Sequence, residues 1–221
     1  MKINRAGILT YYDKRRKWPP ETGSTVSAVT GVIGEDLVLS LLCHYLNGKV
    51  FSHTCKPVGA SGHRLDAWIH DEKNLYQVEV KNWSTHSIGG REIPNSPEGL
   101  QAVAERNLDD FLNSSKSPAA IWKVLGRMIV PNRFPGRKPI PVLAFWAPVA
   151  RRKMKPPSFW FDCKPSIYLG VIPPEIEISS RGRIQIFSAS LYLRSLKSEF
   201  IDLPMPRAEA RLRTLGELLG N

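Results

Sequence analysis

Asp66, Glu79 and Lys81 carry between them the side chains that phosphodiester hydrolysis requires. Along a strand, residues two apart share a face. Glu79 and Lys81 therefore point one way, while Val78 and Val80 point the other way, to the apolar side read as the core. On the preceding segment Arg64, Asp66, Trp68 and His70 share a face opposite Leu65, Ala67 and Ile69. The polar Asp71-Glu72-Lys73-Asn74 between the two segments signals a hairpin. A tight turn centred on Glu72-Lys73 sets Asp66 across from Glu79, with Cβ atoms about 4.5–5.5 Å apart. Two carboxylates that close repel unless a cation lies between them. Mg²⁺, or Mn²⁺ in its place, suits the pair, because it takes oxygen ligands from one or two carboxylates and fills its shell with water and phosphate. Lys81 follows on the same face, in position to hold or deprotonate a water near the metal. Phosphodiester hydrolysis uses an activated water, a Lewis acid and positive charge for the developing negative charge.

Two further polar residues lie where helix periodicity expects apolar ones. At 100° per residue Glu35 falls between Leu42 and Leu46, within the apolar side, whereas Asp36 falls with Ser40, Cys43 and His44 on the polar side. A carboxylate there needs a partner; a metal or Lys81 would serve, and a favourable helix N-terminus is the plainer alternative. Gln101 similarly projects between Leu108 and Leu112. Its amide could orient water or hold a phosphate, or simply cap neighbouring backbone.

The elements that must position these residues follow from periodicity. Val32 to Leu46 has helical spacing, with Gly48 where the helix could stop; Val50 to Val58, Arg64 to His70 and Leu75 to Trp83 read as strands. A second helix follows Pro97 and ends near Asn113, and Ser117-Pro118 starts a short one to about Leu125. Ile140 to Ala147 reads as a buried strand, Ile167 to Ile172 and Arg183 to Phe187 as further strands, and Pro206 to Leu219 as a helix. The order αβββαβ implies an α/β (α+β) class, a mixed central sheet flanked by helices.

The set Gly34-Glu35, Arg64-Leu65-Asp66, Glu79-Val80-Lys81 and Gln101, spread over residues 31 to 147, resembles the PD-(D/E)XK nuclease superfamily with its restriction-endonuclease-like core. Glu79-Val80-Lys81-Asn82-Trp83 with the Gly34-Glu35 helix upstream is most similar to the nuclease-related-domain and Mrr-like branches, although no proline precedes Asp66. The resemblance implies that Asp66 and Glu79 bind the metal, that Lys81 acts on the attacking water and that Glu35 supports the metal shell. It implies a metal-dependent DNA endonuclease of prokaryotic defence or DNA processing. An RNA nuclease, or a binding module with a vestigial nuclease core, stays open.

Charge agrees with a polyanionic substrate. Thirty-one Lys+Arg against 20 Asp+Glu leave a formal +11, with a pI near 9.8, a field that concentrates nucleic acid. Arg133, Arg137 and Lys138, then Arg151, Arg152, Lys153 and Lys155, cluster among prolines and aromatics and suit phosphate contact. Residues 1–30, with Lys14 to Lys17, read as a basic N-terminal arm and linker, 31–170 as the nuclease core and 171–221 as an extension packing on it. No apolar run spans a membrane or forms a leader, and three scattered cysteines do not make a disulfide framework. A cytoplasmic protein is expected. Its partner is DNA rather than RNA, with a second copy or another protein of a DNA-processing complex also compatible.

Overall fold

The hairpin forms around one aspartate. Asp71 Oδ1 accepts from the backbone N–H of Lys73 at 2.7 Å and of Asn74 at 2.5 Å, and Oδ2 accepts from Asn74 Nδ2 at 3.0 Å and the Tyr76 hydroxyl at 2.8 Å. A short side chain that collects the turn's own donors stabilises the reversal locally. Burial pushes the Asp71 carboxyl up, but these hydrogen bonds outweigh it and hold it down at about 2.

The computed structural model describes residues 1–13, 20–51, 65–81, 92–115, 117–130, 132–164, 177 and 182–219. In chain order the elements are β1 (Lys2–Asn4), α1 (Arg5–Asp13), α2 (Pro20–Leu46), β2 (Lys49–Phe51), β3 (Ala67–His70), β4 (Leu75–Lys81), α3 (Pro97–Leu112) and α4 (Ser117–Leu125). They continue as β5 (Pro139–Phe145), β6 (Trp160–Cys163), β7 (Ile184–Ser188), α5 (Ala189–Ser195), β8 (Phe200–Asp202) and α6 (Pro206–Leu219). Six strands form a mixed sheet in the order β2-β3-β4-β5-β7-β6. The β4–β5 and β5–β7 pairs are parallel and the others antiparallel.

Helices cover both faces of this sheet. Leu37, Val38, Leu41 and Leu42 of α2 pack with Ala67, Ile69, Val78, Val80, Val142 and Ala144. On the opposite face Leu108, Phe111 and Leu112 of α3 and Ile121, Val124 and Leu125 of α4 pack with Leu143, Phe145, Ile184 and Ile186. The chain is therefore α/β, with a mixed sheet between helical layers. Alternation along β4 predicted the division of side chains but not that both sides are buried. The Glu79 face, expected to be turned away from the core, lies under α4, and Glu79 is only 1 % exposed.

Several expected boundaries move. Residues 1–30 are not simply an arm and linker: β1 pairs antiparallel with β8, Ile3 and Tyr12 are buried, and α2 begins at Pro20. A proline is tolerated in a first turn because its missing N–H has no partner there anyway. Lys14 to Lys17 lie outside the described residues. Nor do residues 171–221 merely pack on a finished core, since β7 sits between β5 and β6 in the main sheet. Of the Val50–Val58 strand only β2 is described, and Arg64, Trp83 and the Ile167–Ile172 strand fall outside the described residues. Gly48 is needed by crowding rather than by its own φ: a Cβ there would meet Ile69 Cγ2 at 2.8 Å, while Asn47 takes the left-handed φ of 48° that ends α2.

The predicted polar side of α2 is also covered. Asp36, Ser40 and Cys43 are buried, and Ser40 Oγ donates to Pro204 O at 2.8 Å. A cavity of about 430 Å³ separates them from Met205 and Arg207. Helix periodicity cannot foresee a segment that returns from 164 residues downstream to cover a polar stripe, as residues 203–208 do.

Arg137, expected to meet phosphate, is seen to clamp the hairpin. Its Nη1 donates to Asp71 O and Asn74 O, both at 3.2 Å, and Nη2 to Glu72 O at 2.8 Å, with the guanidinium 5.2 Å from the Phe134 ring centroid. Arg137→Ala is expected to cost about 2 kcal/mol, the scale of hydrogen bonds from a charged donor, and to lower the urea midpoint. The salt slope of DNA binding should stay as it is; a flatter slope at unchanged stability would return Arg137 to the phosphate-contact role.

Candidate active site

The register Ala67 opposite Val78, continued by one residue, brings Asp66 against Glu79. Asp66 Oδ2 accepts from Val80 N–H at 2.7 Å, which fixes the carboxylate at the mouth of the β3–β4 pair. Burial, then the neighbouring Glu79 charge, pushes the Asp66 carboxyl up to about 7; Glu35 adds to the rise, and the Val80 N–H and Lys123 oppose it. Two carboxylates and a third nearby thus share a small, partly dry volume.

Glu79 is held on one side only. Its Oε1 accepts from Lys81 Nζ at 2.6 Å and from Lys123 Nζ at 2.8 Å, whereas its Oε2 is buried with no hydrogen-bond partner among the described residues. An orphaned carboxylate oxygen is costly in a protein interior. Beside Asp66 it is also the kind of oxygen that Mg²⁺ takes, and two carboxylates suffice for that ion when water and phosphate complete its shell. The donor set therefore fits magnesium. Glu35 does not complete a three-carboxylate set, because its Oε1 faces Arg207 Nη1 at 3.4 Å. Among the described residues no group of three His, Cys, Asp or Glu side chains is arranged to hold a metal.

Lys123 and Arg207 escaped the sequence reading. Lys123 sits in the last turn of α4. Arg207, near the start of α6, donates from Nη2 to the Asp66 carbonyl at 3.1 Å and so ties α6 to both Asp66 and Glu35. Nothing local marked Arg207. Lys123 carried a faint sign, as the lone charge in Ser-Pro-Ala-Ala-Ile-Trp-Lys-Val-Leu.

Gln101 is not joined to this cluster by any described contact. Its Nε2 donates to Glu105 Oε1 at 2.6 Å, Glu105 in turn accepts from the Lys153 backbone N–H at 3.2 Å, and the Gln101 Oε1 is buried with no partner among the described residues. Its role in the described contacts is to brace α3 against the loop after β5.

The two basic clusters separate. In the parallel β4–β5 pair Leu75 stands opposite Pro139 and Lys81 opposite Phe145. Arg133, Arg137 and Lys138 therefore precede β5 at the hairpin end, about 20 Å of strand away from Lys81. Arg151, Arg152, Lys153 and Lys155 follow β5 at the Lys81 end, and all four are exposed. Arg152 is partly neutralised by Asp109 Oδ2, which accepts from Nε at 3.0 Å and Nη2 at 2.7 Å. Trp68, which shares a sheet face with Glu79, is fully buried against Leu75, Met128 and Phe134 and so serves packing. Cys43 is buried, which pushes its thiol up to about 12 and leaves it inert. No helix among the described residues is long and apolar enough to cross a membrane.

Compared with protein-family models, with curated proteins and with solved structures, the chain matches none of them.

Proposed function

We propose that this chain is a magnesium-dependent nuclease of restriction-endonuclease-like fold whose substrate is DNA. The observation that carries the reading is the pairing of a raised-pKa aspartate with a glutamate that keeps one buried oxygen unpartnered, beside a strand-borne lysine. When bound, the metal would supply Lewis acidity and lower the pKa of a coordinated water. Asp66 and Glu79 would hold it. Lys81, two residues along the same face, would hold the attacking water by its Nζ and offset the charge that develops on the phosphate. Glu35 and Arg207 would act from behind, by steadying the Asp66 segment rather than by ligation. The exposed Arg151, Lys153 and Lys155, at the same end of the sheet, would track the sugar–phosphate backbone. Mn²⁺ would replace Mg²⁺, as the ligand chemistry is shared.

DNA is favoured over RNA only by the family resemblance, so the test includes both. Supercoiled, linear and single-stranded DNA and RNA are incubated with the protein, with Mg²⁺ or with a chelator. Cutting of DNA that vanishes with the chelator is the expected result. Cutting confined to RNA would reassign the substrate, and no cutting of any substrate would leave a binding module.

A further inference from the structure

Glu79 has more cations than its charge needs. Lys81 alone, at 2.6 Å, neutralises it, yet Lys123 reaches the same oxygen at 2.8 Å from a different element. Two ammonium groups that converge on one oxygen repel each other; the neighbouring Asp66 carboxylate, on which the Lys123 charge also acts, offsets part of that repulsion, and the fold holds Lys123 in place for the rest.

The fold does hold its backbone. Gln77 lies two residues before Glu79 on the same face and is buried; its Nε2 donates to the carbonyls of Val124 and Gly126. Both carbonyls lie at the C-terminal end of α4, where the last carbonyls of a helix have no partner within it. Ile121, Val124 and Leu125 anchor the same turn in the core. Lys123 thereby reaches the carboxylate from α4, while Lys81 reaches it from β4 itself. The Lys123 side chain nevertheless keeps 21 % of its surface in water, against 2 % for Glu79. Lys81 keeps a similar 20 %, so an incoming anion can reach either ammonium without disturbing the core.

Resting on the nuclease reading, we propose that Lys123 is a phosphate-contacting residue of the site, swinging its ammonium from Glu79 onto a non-bridging oxygen of the bound phosphodiester. Lys81 remains with Glu79 and the water. The division follows from placement: Lys81 lies on β4, two residues from Glu79 on the same strand, whereas Lys123 comes from α4, a separate element packed on that face. No covalent change at Lys123 is required, since it contributes charge and position only.

The test compares Lys123→Met, Lys123→Arg and wild type in two measurements. One is the binding of a short fluorescent DNA duplex over a series of salt concentrations, with Ca²⁺ in place of Mg²⁺. Loss of one phosphate contact lowers the log–log salt slope by about 0.9, so Lys123→Met should show that decrement and Lys123→Arg should not. The other is the rate of cutting with Mg²⁺, which should fall by about 10²-fold in Lys123→Met and recover in large part in Lys123→Arg. A purely structural lysine would lower the thermal midpoint and leave the salt slope intact. An unchanged slope with near wild-type cutting by Lys123→Met overturns the assignment while the nuclease reading stands. A wild type that cuts no nucleic acid overturns both. Should Lys123→Met fail to fold, Lys123→Gln, which keeps a polar reach without charge, must show the same decrement or the proposal fails.

Discussion

Lys81→Ala is expected to fold normally and to lose cutting by about 10²-fold or more, the scale of a positioned acid–base group. Folding survives because Glu79, the buried partner of Lys81, keeps its second ammonium, Lys123, at 2.8 Å. The core contribution of this stretch comes from Val78 and Val80, which pack on the α2 face and are untouched by the change. The thermal midpoint should therefore stay within about 4 °C, equivalent to at most about 1–2 kcal/mol for a chain of this size. Activity has no such reserve, because Lys123 approaches Glu79 from α4 and cannot take the position at the end of β4. Plasmid cutting beside a thermal melt checks both halves. Wild-type turnover by the variant would remove Lys81 from the chemistry.

Asp66→Asn should separate stability from function in the opposite sense. The Asp66 carboxyl titrates near 7 in the folded chain, raised from 3.8 by burial and by Glu79. Between about pH 4 and pH 7 the folded state holds a proton that the unfolded state has released, so stability falls as pH rises through that window and the full cost is borne above 7. A rise of that size corresponds to at most about 4 kcal/mol; the share of the carboxylate that reaches water brings the expected cost to about 2 kcal/mol. The substituted amide carries no charge, and its oxygen can still accept from the Val80 N–H. Without metal the variant should thus melt above wild type at pH 8 and level with it at pH 4. Mg²⁺ or Mn²⁺ should stabilise wild type, more strongly as pH rises through 7, and leave the variant unchanged. Cutting should disappear with that metal response, and Ca²⁺ should compete at the wild-type site yet support little turnover, since its looser shell positions water and phosphate less strictly. Calorimetric titration of both proteins decides the matter: equal metal affinity would mean that the carboxylates are only a charged cluster.

The local part of the site was readable from the chain. A four-residue polar turn with Asp71 at its head sets the register, and register alone brings Asp66 to Glu79. The remainder depends on long-range packing that no periodicity encodes. Lys123 arrives because Gln77, a polar residue on a strand face, docks the end of α4. Arg207 arrives because residues 203–208 cover α2, which also makes Asp36 and Ser40 buried where amphipathicity expects them exposed. Strand β6 was missed because it is only four residues long and closely follows Pro156-Pro157, and helix α5 because its seven residues run on directly from β7 with no break between them. The short β1 and β8 are strands only through each other.

The pairing of β1 with β8 also orders events in time. Lys2 stands opposite Asp202, Ile3 opposite Ile201 and Asn4 opposite Phe200, across nearly the whole length of the chain. Closing so large a loop is entropically expensive, and contacts of such separation form late. On the ribosome β1 emerges before β8 and waits for it while the strands and helices between them are made. Arg207 follows β8 by five residues and meets Asp66 and Glu35 only once that closure has brought α6 back over α2. A growing chain can therefore assemble its hairpin and both lysines while the brace behind Asp66 is still missing. The candidate centre is completed only after β8 and α6 have been made, so a chain interrupted before them would carry the carboxylates without their final support.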